Sequence, residues 1–173
     1  VMVRNQPIVT TAGRWILPAY IQSIYQAQFW LSDDEGTTWR PTAALFSLPN
    51  NLQPAVAELC DGSLIALMRT GEGGPTWQGR SRDGGETWSL CQHSDLPNPN
   101  SGIDLLRLAG GELILACNHS TVDRTPLVVR LSLDEGESWL PPKVVEEGDP
   151  QLSYPGLTQS ADGLIHLVYT HRL

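Results

Sequence analysis

Three aspartates occupy the same position in a motif that recurs along the chain, and carboxylates repeated in this way could bind a cation or act in catalysis. The motif is S-x-D-x-G-x-[ST]-W, and its aspartates are Asp34, Asp83 and Asp134, about fifty residues apart. One active centre rarely needs three identical carboxylates. The Asp and Ser side chains can instead hydrogen-bond the backbone of their own turn, while the Gly permits a positive φ and the Trp buries a large ring. We therefore predict that these aspartates stabilise turns.

Three other side chains are of types that recognise or transform ligands. Arg69 could hold a carboxylate through two parallel hydrogen bonds, His119 could act as an acid or a base, and Glu58 could support an ionising tyrosine. Each also has a structural alternative. These alternatives are a solvated arginine at a loop edge, a hydrogen-bonded loop histidine and an ion pair on a strand face.

The composition argues against several classes of function. The 173 residues include 19 acidic and 11 basic residues, for a formal charge of −8, and no basic stripe is present, so no nucleic-acid partner is expected. No apolar run approaches the roughly 18 residues of a membrane span, and no signal segment is recognisable, so a soluble chain without a membrane partner is expected. Cys60, Cys91 and Cys117 are widely spaced and form no ligand cluster with the histidines. We expect buried free thiols, no metal and no other cofactor.

A second periodic signal shows which elements would position the candidate residues. Small turn pairs that contain Gly13, Gly62, Gly111 and Gly163 separate short apolar runs, and they recur in phase with the aspartate motif. An Asp-Gly pair between two such runs predicts a tight hairpin. Each repeat therefore contains four short strands, which we label A, B, C and D in chain order, with tight A–B and C–D turns.

Four-stranded units at this period predict the blades of a β-propeller. We predict complete blades over residues 7–50, 54–98 and 102–146, and strands A and B of a further blade over 153–171. Few segments show the 3.6-residue period of an amphipathic helix. The chain is therefore predicted to be all-β, a single partial propeller domain over residues 1–173.

The predicted strand order divides the turns and loops between two faces. The A–B turns and the aspartate motifs share one face, and the D–A and B–C loops share the other. Loops on a rigid scaffold commonly carry function, so we predict that any site lies on the second face. The candidate ligand-binding residues of this loop face are Gln53, Arg69, Asn100, Ser101, Asn118, His119 and Arg124, with Trp77 in a B–C loop.

The repeated motif resembles the Asp-box, or BNR repeat, of sialidases and sialidase-like propellers. Residues 96–104, 118–120, 124–126 and 153–155 also resemble segments of bacterial members of that family, so the likeness covers nearly the whole chain. The Asp-box is typical of the fold rather than of one activity. The resemblance implies a sialidase-like propeller with glycoside hydrolase ancestry.

A sialidase uses arginines for the substrate carboxylate, an acid/base carboxyl group, and a tyrosine nucleophile supported by a glutamate. The resemblance implies that Tyr154 is the nucleophile, because such enzymes place theirs late in the chain; packing at a Tyr-Pro strand start is the alternative. The R-I-P element with the first arginine has no counterpart here, and neither has the acid/base aspartate. Because such propellers usually close about six blades, the chain resembles a C-terminal half with a partial catalytic set.

Two functions follow from this reasoning. The first is a sialidase-like glycoside hydrolase, or its remnant, that acts on glycans through the loop face but is inactive as an isolated chain. The second is a non-catalytic binding or structural propeller module. An open arc of blades would expose apolar faces, so the expected partners are a glycan and either a second copy, forming a homodimer, or a missing N-terminal half. The apolar segment 1–3 could pair with the edge of the half-blade.

Overall fold

The computed structural model describes residues 1–148 and 151–172. Within these ranges the regular elements are strands that form four antiparallel sheets. The described residues include no helix long and apolar enough to cross a membrane. The prediction of an all-β chain is confirmed.

Sheet 1 contains the first five strands. β1 (Met2–Val3) and β2 (Ile8–Val9) both pair with β3 (Trp15–Ile21), which is followed by β4 (Gln26–Ser32) and β5 (Arg40–Pro41). β1 and β2 therefore act as one interrupted first strand. Among the described residues the segment 1–3 pairs with β3 rather than with the edge of the half-blade.

Sheets 2 and 3 each contain four consecutive strands in chain order, and sheet 4 contains two. Sheet 2 comprises β6 (Asn51–Glu58), β7 (Leu64–Thr70), β8 (Gly74–Ser81) and β9 (Gln92–Asn98). Sheet 3 comprises β10 (Asp104–Arg107), β11 (Leu113–Asn118), β12 (Leu127–Ser132) and β13 (Lys143–Glu146). Sheet 4 comprises β14 (Gln151–Gln159) and β15 (Ile165–Arg172). Consecutive strands of one repeat are thus neighbours in one sheet.

The sheets pack face to face, and the core lies between them. Phe29 of sheet 1 shares a buried cluster with Met68 of sheet 2, and Leu67 of sheet 2 shares another with Leu115 of sheet 3. A smaller cluster joins sheet 3 to Leu157 of sheet 4. β7 is buried on both faces, which explains its continuous apolar sequence. The first strand of sheet 3, β10, contacts the first strands of both neighbouring sheets, β6 and β14.

The aspartate motifs form the C–D turns through local hydrogen bonds. In the second copy, Asp83 accepts a hydrogen bond from the Thr87 N–H at 2.9 Å and one from the Ser81 hydroxyl at 2.8 Å. The Gly85 N–H donates to Ser81 Oγ at 2.9 Å, and the Trp88 indole donates to the Gly85 carbonyl oxygen at 3.2 Å. The first and third copies repeat the Asp and Ser bonds. These carboxylates are occupied by their own turns, as predicted.

The A–B turns lie on the same face as these motifs. Arg14, in the A–B turn of sheet 1, is 2.8 Å from Glu86 in the motif of sheet 2. The Cys60 N–H, in the A–B turn of sheet 2, donates to Glu135 in the motif of sheet 3 at 2.5 Å. Cys60 is exposed at this position, so the expectation of a buried thiol is wrong for it, whereas Cys117 is buried. The opposite loop face is left for the candidate residues.

Candidate anion-binding site

The first strands of sheets 2 and 4 bend at the same place, and the chain turns in the same way just before β10. Gln53, Asn100 and Tyr154 have φ angles of +49°, +56° and +55°, in the left-handed region that non-glycine residues seldom adopt. At Gln53 and Tyr154 the strand register also shifts, as in a β-bulge. Backbone strain of this kind concentrates at functional sites. It turns three side chains of neighbouring sheets toward one region of the loop face.

Tyr154 lies at the centre of this region and is 42% exposed. The Cζ atoms of Arg124 and Arg4 lie 5.5 and 5.8 Å from the centroid of its ring, within the range of cation–π contact. Burial raises the pKa of the Tyr154 phenol, but hydrogen bonding and charge interaction with Arg124, and then with Arg69, outweigh burial, and the net pKa is lowered. The phenol is therefore poised toward its ionised form.

Arg69 reaches Tyr154 from β7, where it lies opposite Leu52, next to the bulge of β6. Its Nη1 donates a hydrogen bond to Gln53 Oε1 at 2.9 Å. Burial lowers the pKa of the Arg69 guanidinium, and the interaction with Tyr154 opposes that effect. The Nε of Arg69 is buried without a hydrogen-bond partner among the described residues. This cation is held by neutral groups.

Arg124 approaches Tyr154 from the loop between β11 and β12. Its Nη2 donates to the Asn100 carbonyl oxygen at 3.0 Å, and the Asn100 side-chain amide donates to the Gly71 carbonyl oxygen at 2.8 Å. The Arg124 carbonyl oxygen accepts a hydrogen bond from the Leu152 N–H at 3.0 Å. These bonds fix the loop against β14 and bring the second guanidinium to the phenol.

Arg4 is a member of the cluster that the sequence did not reveal. It lies in the interruption between β1 and β2 and donates to the carbonyl oxygens of Ile103 and Pro155. Asp104 faces it, and burial raises the pKa of that carboxyl group; the Leu157 N–H, 2.7 Å away, and Arg4 oppose this effect only in part, so the net pKa is raised. The pattern of segment 1–9 gives no sign of this role, because the contacts of Arg4 are nearly 100 residues or more away in the chain.

Gly102 allows the close approach of Arg4 and Tyr154. A Cβ atom at this position would lie 2.7 Å from Arg4 Nε and 3.1 Å from Tyr154 Cδ1. Beside these residues a cavity of about 510 Å³ extends along β14, lined in part by Asp104 and His166. The cluster thus borders a space large enough for a sugar-sized ligand.

Two of the predicted ligand-binding residues are buried beneath the site and stabilise the backbone around it. Asn118 is buried at the end of β11, and its amide donates to the Leu152 carbonyl oxygen at 2.8 Å, which ties sheet 3 to β14. Ser101 is also fully buried, and its N–H donates to the Asn98 side chain at 3.0 Å. Both residues lie beneath the surface rather than in contact with solvent.

Three other candidates lie apart from the cluster. His119 is exposed, and its N–H donates to the Pro126 carbonyl oxygen at 3.1 Å. Glu58 lies at the opposite end of β6 from Gln53, where it accepts hydrogen bonds from the N–H and hydroxyl of Thr11 at 2.8 and 2.9 Å. Trp77 lies within β8, buried and stacked on His93 at 3.8 Å, so its placement in a B–C loop is wrong.

The charge of the cluster sets its chemistry. Arg4 has Asp104 as a counter-charge, but no salt bridge among the described residues joins Arg69 or Arg124 to a carboxylate. Two guanidinium groups therefore lie at one phenol without a carboxylate partner in the described part of the chain, whose full sequence has a formal charge of −8. Such an arrangement is suited to an anion, and the planar fork of arginine suits a carboxylate.

The fold and this cluster together define a class of protein with blade-like four-stranded repeats, Asp-box turns on one face and a cationic tyrosine site on the other. The family described as "BNR repeat-like domain" matches residues 1–167, and the chain belongs to that family. The resemblance to BNR-repeat, sialidase-like proteins is thereby confirmed.

Individual relatives agree with this assignment. A protein named "Sialidase" from Micromonospora viridifaciens is 30% identical over an alignment of 180 positions, gaps included, which covers 97% of this chain and 26% of that protein. A solved structure of a NanB sialidase variant from Streptococcus pneumoniae has a TM-score of 0.80 and 22% identity, over 95% of this chain and 27% of that one. The intramolecular trans-sialidase of Ruminococcus gnavus, solved with oseltamivir carboxylate, has a TM-score of 0.73 and 27% identity, over 98% and 38% of the two chains.

These structures confirm the predicted sialidase-like architecture of blades. The chain spans less than two fifths of the length of each of these three relatives.

Proposed function

We propose that the loop face of this chain is part of a sialidase-like glycan site and binds the carboxylate of an acidic sugar. The observation that carries the proposal is the pair of uncompensated guanidinium groups, Arg69 and Arg124, at the phenol of Tyr154. The names of the relatives support the substrate class, and the Ruminococcus gnavus relative holds a ligand that is itself a carboxylate.

In this proposal Arg69 and Arg124 bind the carboxylate, and Tyr154 contacts the sugar ring. Gln53 and Asn100 position the two arginines through their hydrogen bonds. Asn118 and Ser101 support the strand starts from below. His119 lies on the rim, where it could contact only a more distant part of a glycan.

We further propose that the 173-residue chain binds without turnover. Glycoside hydrolysis needs a carboxyl group that protonates the leaving oxygen, in addition to a nucleophile. Asp104 faces the cluster, but it is buried and its carboxyl oxygens accept hydrogen bonds from the N–H groups of Leu157 and Leu105. This favours a binding module as the function of the isolated chain, within a glycoside hydrolase ancestry.

Calorimetric titration with 3′-sialyllactose tests the binding proposal. Arg69→Ala should weaken binding by at least about 10-fold, because loss of one charge-assisted bidentate contact costs about 1.5–3 kcal/mol. Arg82→Ala is the matched control, since it removes an exposed arginine from the Asp-box face. Equal losses in the two variants would show that only net charge matters and would refute the site.

Release of a fluorescent aglycone from an aryl sialoside tests the proposal that the chain binds without turnover. We expect no release above that given by Tyr154→Phe. Release by the wild-type chain that disappears in Tyr154→Phe would show that the chain is catalytic on its own.

A further inference from the structure

Arg14, Arg40 and Arg80, on the Asp-box face, form salt bridges with carboxylates. Arg14 lies 2.6 Å from Asp33, and Arg80 lies 2.7 Å from Glu137. Arg69 differs from both, because the acceptor that fixes its guanidinium is the side-chain amide of Gln53. An amide and a carboxylate have nearly the same size and the same acceptor geometry, but only the carboxylate cancels the charge of its partner.

The backbone of β6 is bent to make this contact. Gln53 has a φ of +49° at the bulge, and the bulge places its side chain beside Arg69 of the neighbouring strand. The left-handed conformation is unfavourable for a residue with a Cβ. The backbone of Gln53 thus adopts an unfavourable conformation that allows its side chain to hydrogen-bond with Arg69.

We propose that Gln53 is a positioning residue that holds Arg69 against Tyr154 without neutralising it, so that the site keeps two free positive charges for one anionic ligand. The inference rests on the proposed function and deepens it, because it makes the carboxylate of the acidic sugar the main source of affinity. It also bears on chemistry. Displacement at the anomeric carbon would form a bond to Tyr154 Oη as the glycosidic C–O bond breaks and the leaving oxygen takes a proton. The phenol proton would have to pass to a base, and the neutral amide of Gln53 cannot take it, in keeping with a chain that binds without turnover.

The test compares Gln53→Glu with two other variants in the full chain. Gln53→Glu keeps the acceptor and adds a charge, Gln53→Met keeps the length and removes the acceptor, and Gln92→Glu adds the same charge at an exposed position of β9. The readouts are the affinity for 3′-sialyllactose and the ultraviolet titration of Tyr154. The Tyr154 signal is obtained in each background as the difference from its Tyr154→Phe counterpart.

Gln53→Glu should weaken binding by about 10-fold or more, since it places a negative charge beside the carboxylate of the ligand. It should also move the phenol titration upward by about one pH unit, because Arg69 is then compensated. Gln53→Met should weaken binding with a smaller change in the titration, and Gln92→Glu should change neither quantity.

A Gln53→Glu variant that keeps wild-type affinity and an unchanged phenol titration overturns the inference. The titration also separates the two proposals. If the wild-type chain does not bind 3′-sialyllactose at all, the proposed function fails, while the phenol shift still tests whether Gln53 controls the charge at Tyr154. Thermal melting shows whether Gln53→Glu has folded. If it has not, Gln53→Met decides, because unchanged affinity in that variant would overturn the positioning role of Gln53.

Discussion

At the scale of single residues, the phenol of Tyr154 and an anionic ligand compete for the same two guanidinium groups. Arg124 and Arg69 stabilise the phenolate strongly enough to outweigh the effect of burial, so the pKa of Tyr154 is lowered. When the phenol is neutral, both arginines are free to bind a carboxylate. When it is ionised, it occupies them itself.

This competition predicts a pH dependence of binding. Because the pKa of Tyr154 in the folded chain lies below its ordinary value, affinity for an anion should be constant below that pKa and fall as the pH rises through it. Calorimetric titration with 3′-sialyllactose between about pH 6 and 10 measures the effect. In Tyr154→Phe the decline should be absent, and a decline of equal size in that variant would assign it to another group.

The sequence identifies some of these residues by type but not by their partnerships. Arg69 and Tyr154 could be selected because a cation and a phenol have recognisable chemistry. The role of Gln53 could not be foreseen, since it depends on a bulge and on a contact across two strands. Arg4 was missed because its partners, near Ile103 and Pro155, belong to other sheets. Such contacts leave no local signature.

At the scale of elements, the aspartate of each Asp-box forms its hydrogen bonds within the eight residues of its own motif. Asp83→Ala removes hydrogen bonds from the Ser81 hydroxyl and from the N–H and hydroxyl of Thr87. We expect the free energy of unfolding to fall by about 1–2 kcal/mol, the range for hydrogen bonds lost at a partly exposed turn. Affinity for 3′-sialyllactose should not change, because the turn lies on the face opposite Tyr154. Urea denaturation measures the stability change, and calorimetric titration measures the affinity. A loss of affinity with unchanged stability would contradict this account.

The turns and the bulges differ in how far the sequence predicts them. The C–D turns were predictable because their donors, acceptors and left-handed glycines all lie within one short motif. The bent starts of β6 and β14 were not, because Gln53 and Tyr154 adopt positive φ without a glycine to signal it. The elements were thus foreseen, and the distortions that build the site were not.

At the scale of the whole molecule, sheet 4 ends in a strand with an open side. In the described residues β15 pairs only with β14, and Leu164 and Val168 are 61% and 70% exposed. Strand edges with apolar side chains favour association. We propose that a second copy covers this edge in the isolated chain, which gives a homodimer.

Light scattering at micromolar concentration tests the assembly. The expected mass is twice the 19.0 kDa of one chain. Val168→Lys should shift the population toward the monomer, because a charge on an apolar edge opposes pairing. A wild-type chain that stays monomeric at 19.0 kDa contradicts the dimer.

The central claim is that Arg69, Arg124 and Tyr154 form one anion site on the loop face. A crystal structure of the chain with sialic acid tests it most directly. The account predicts that the ligand carboxylate lies within about 3 Å of both guanidinium groups, with the sugar ring over Tyr154 and toward the neighbouring cavity. A sugar bound instead at the Asp-box face, or one whose carboxylate contacts neither arginine, would contradict the account.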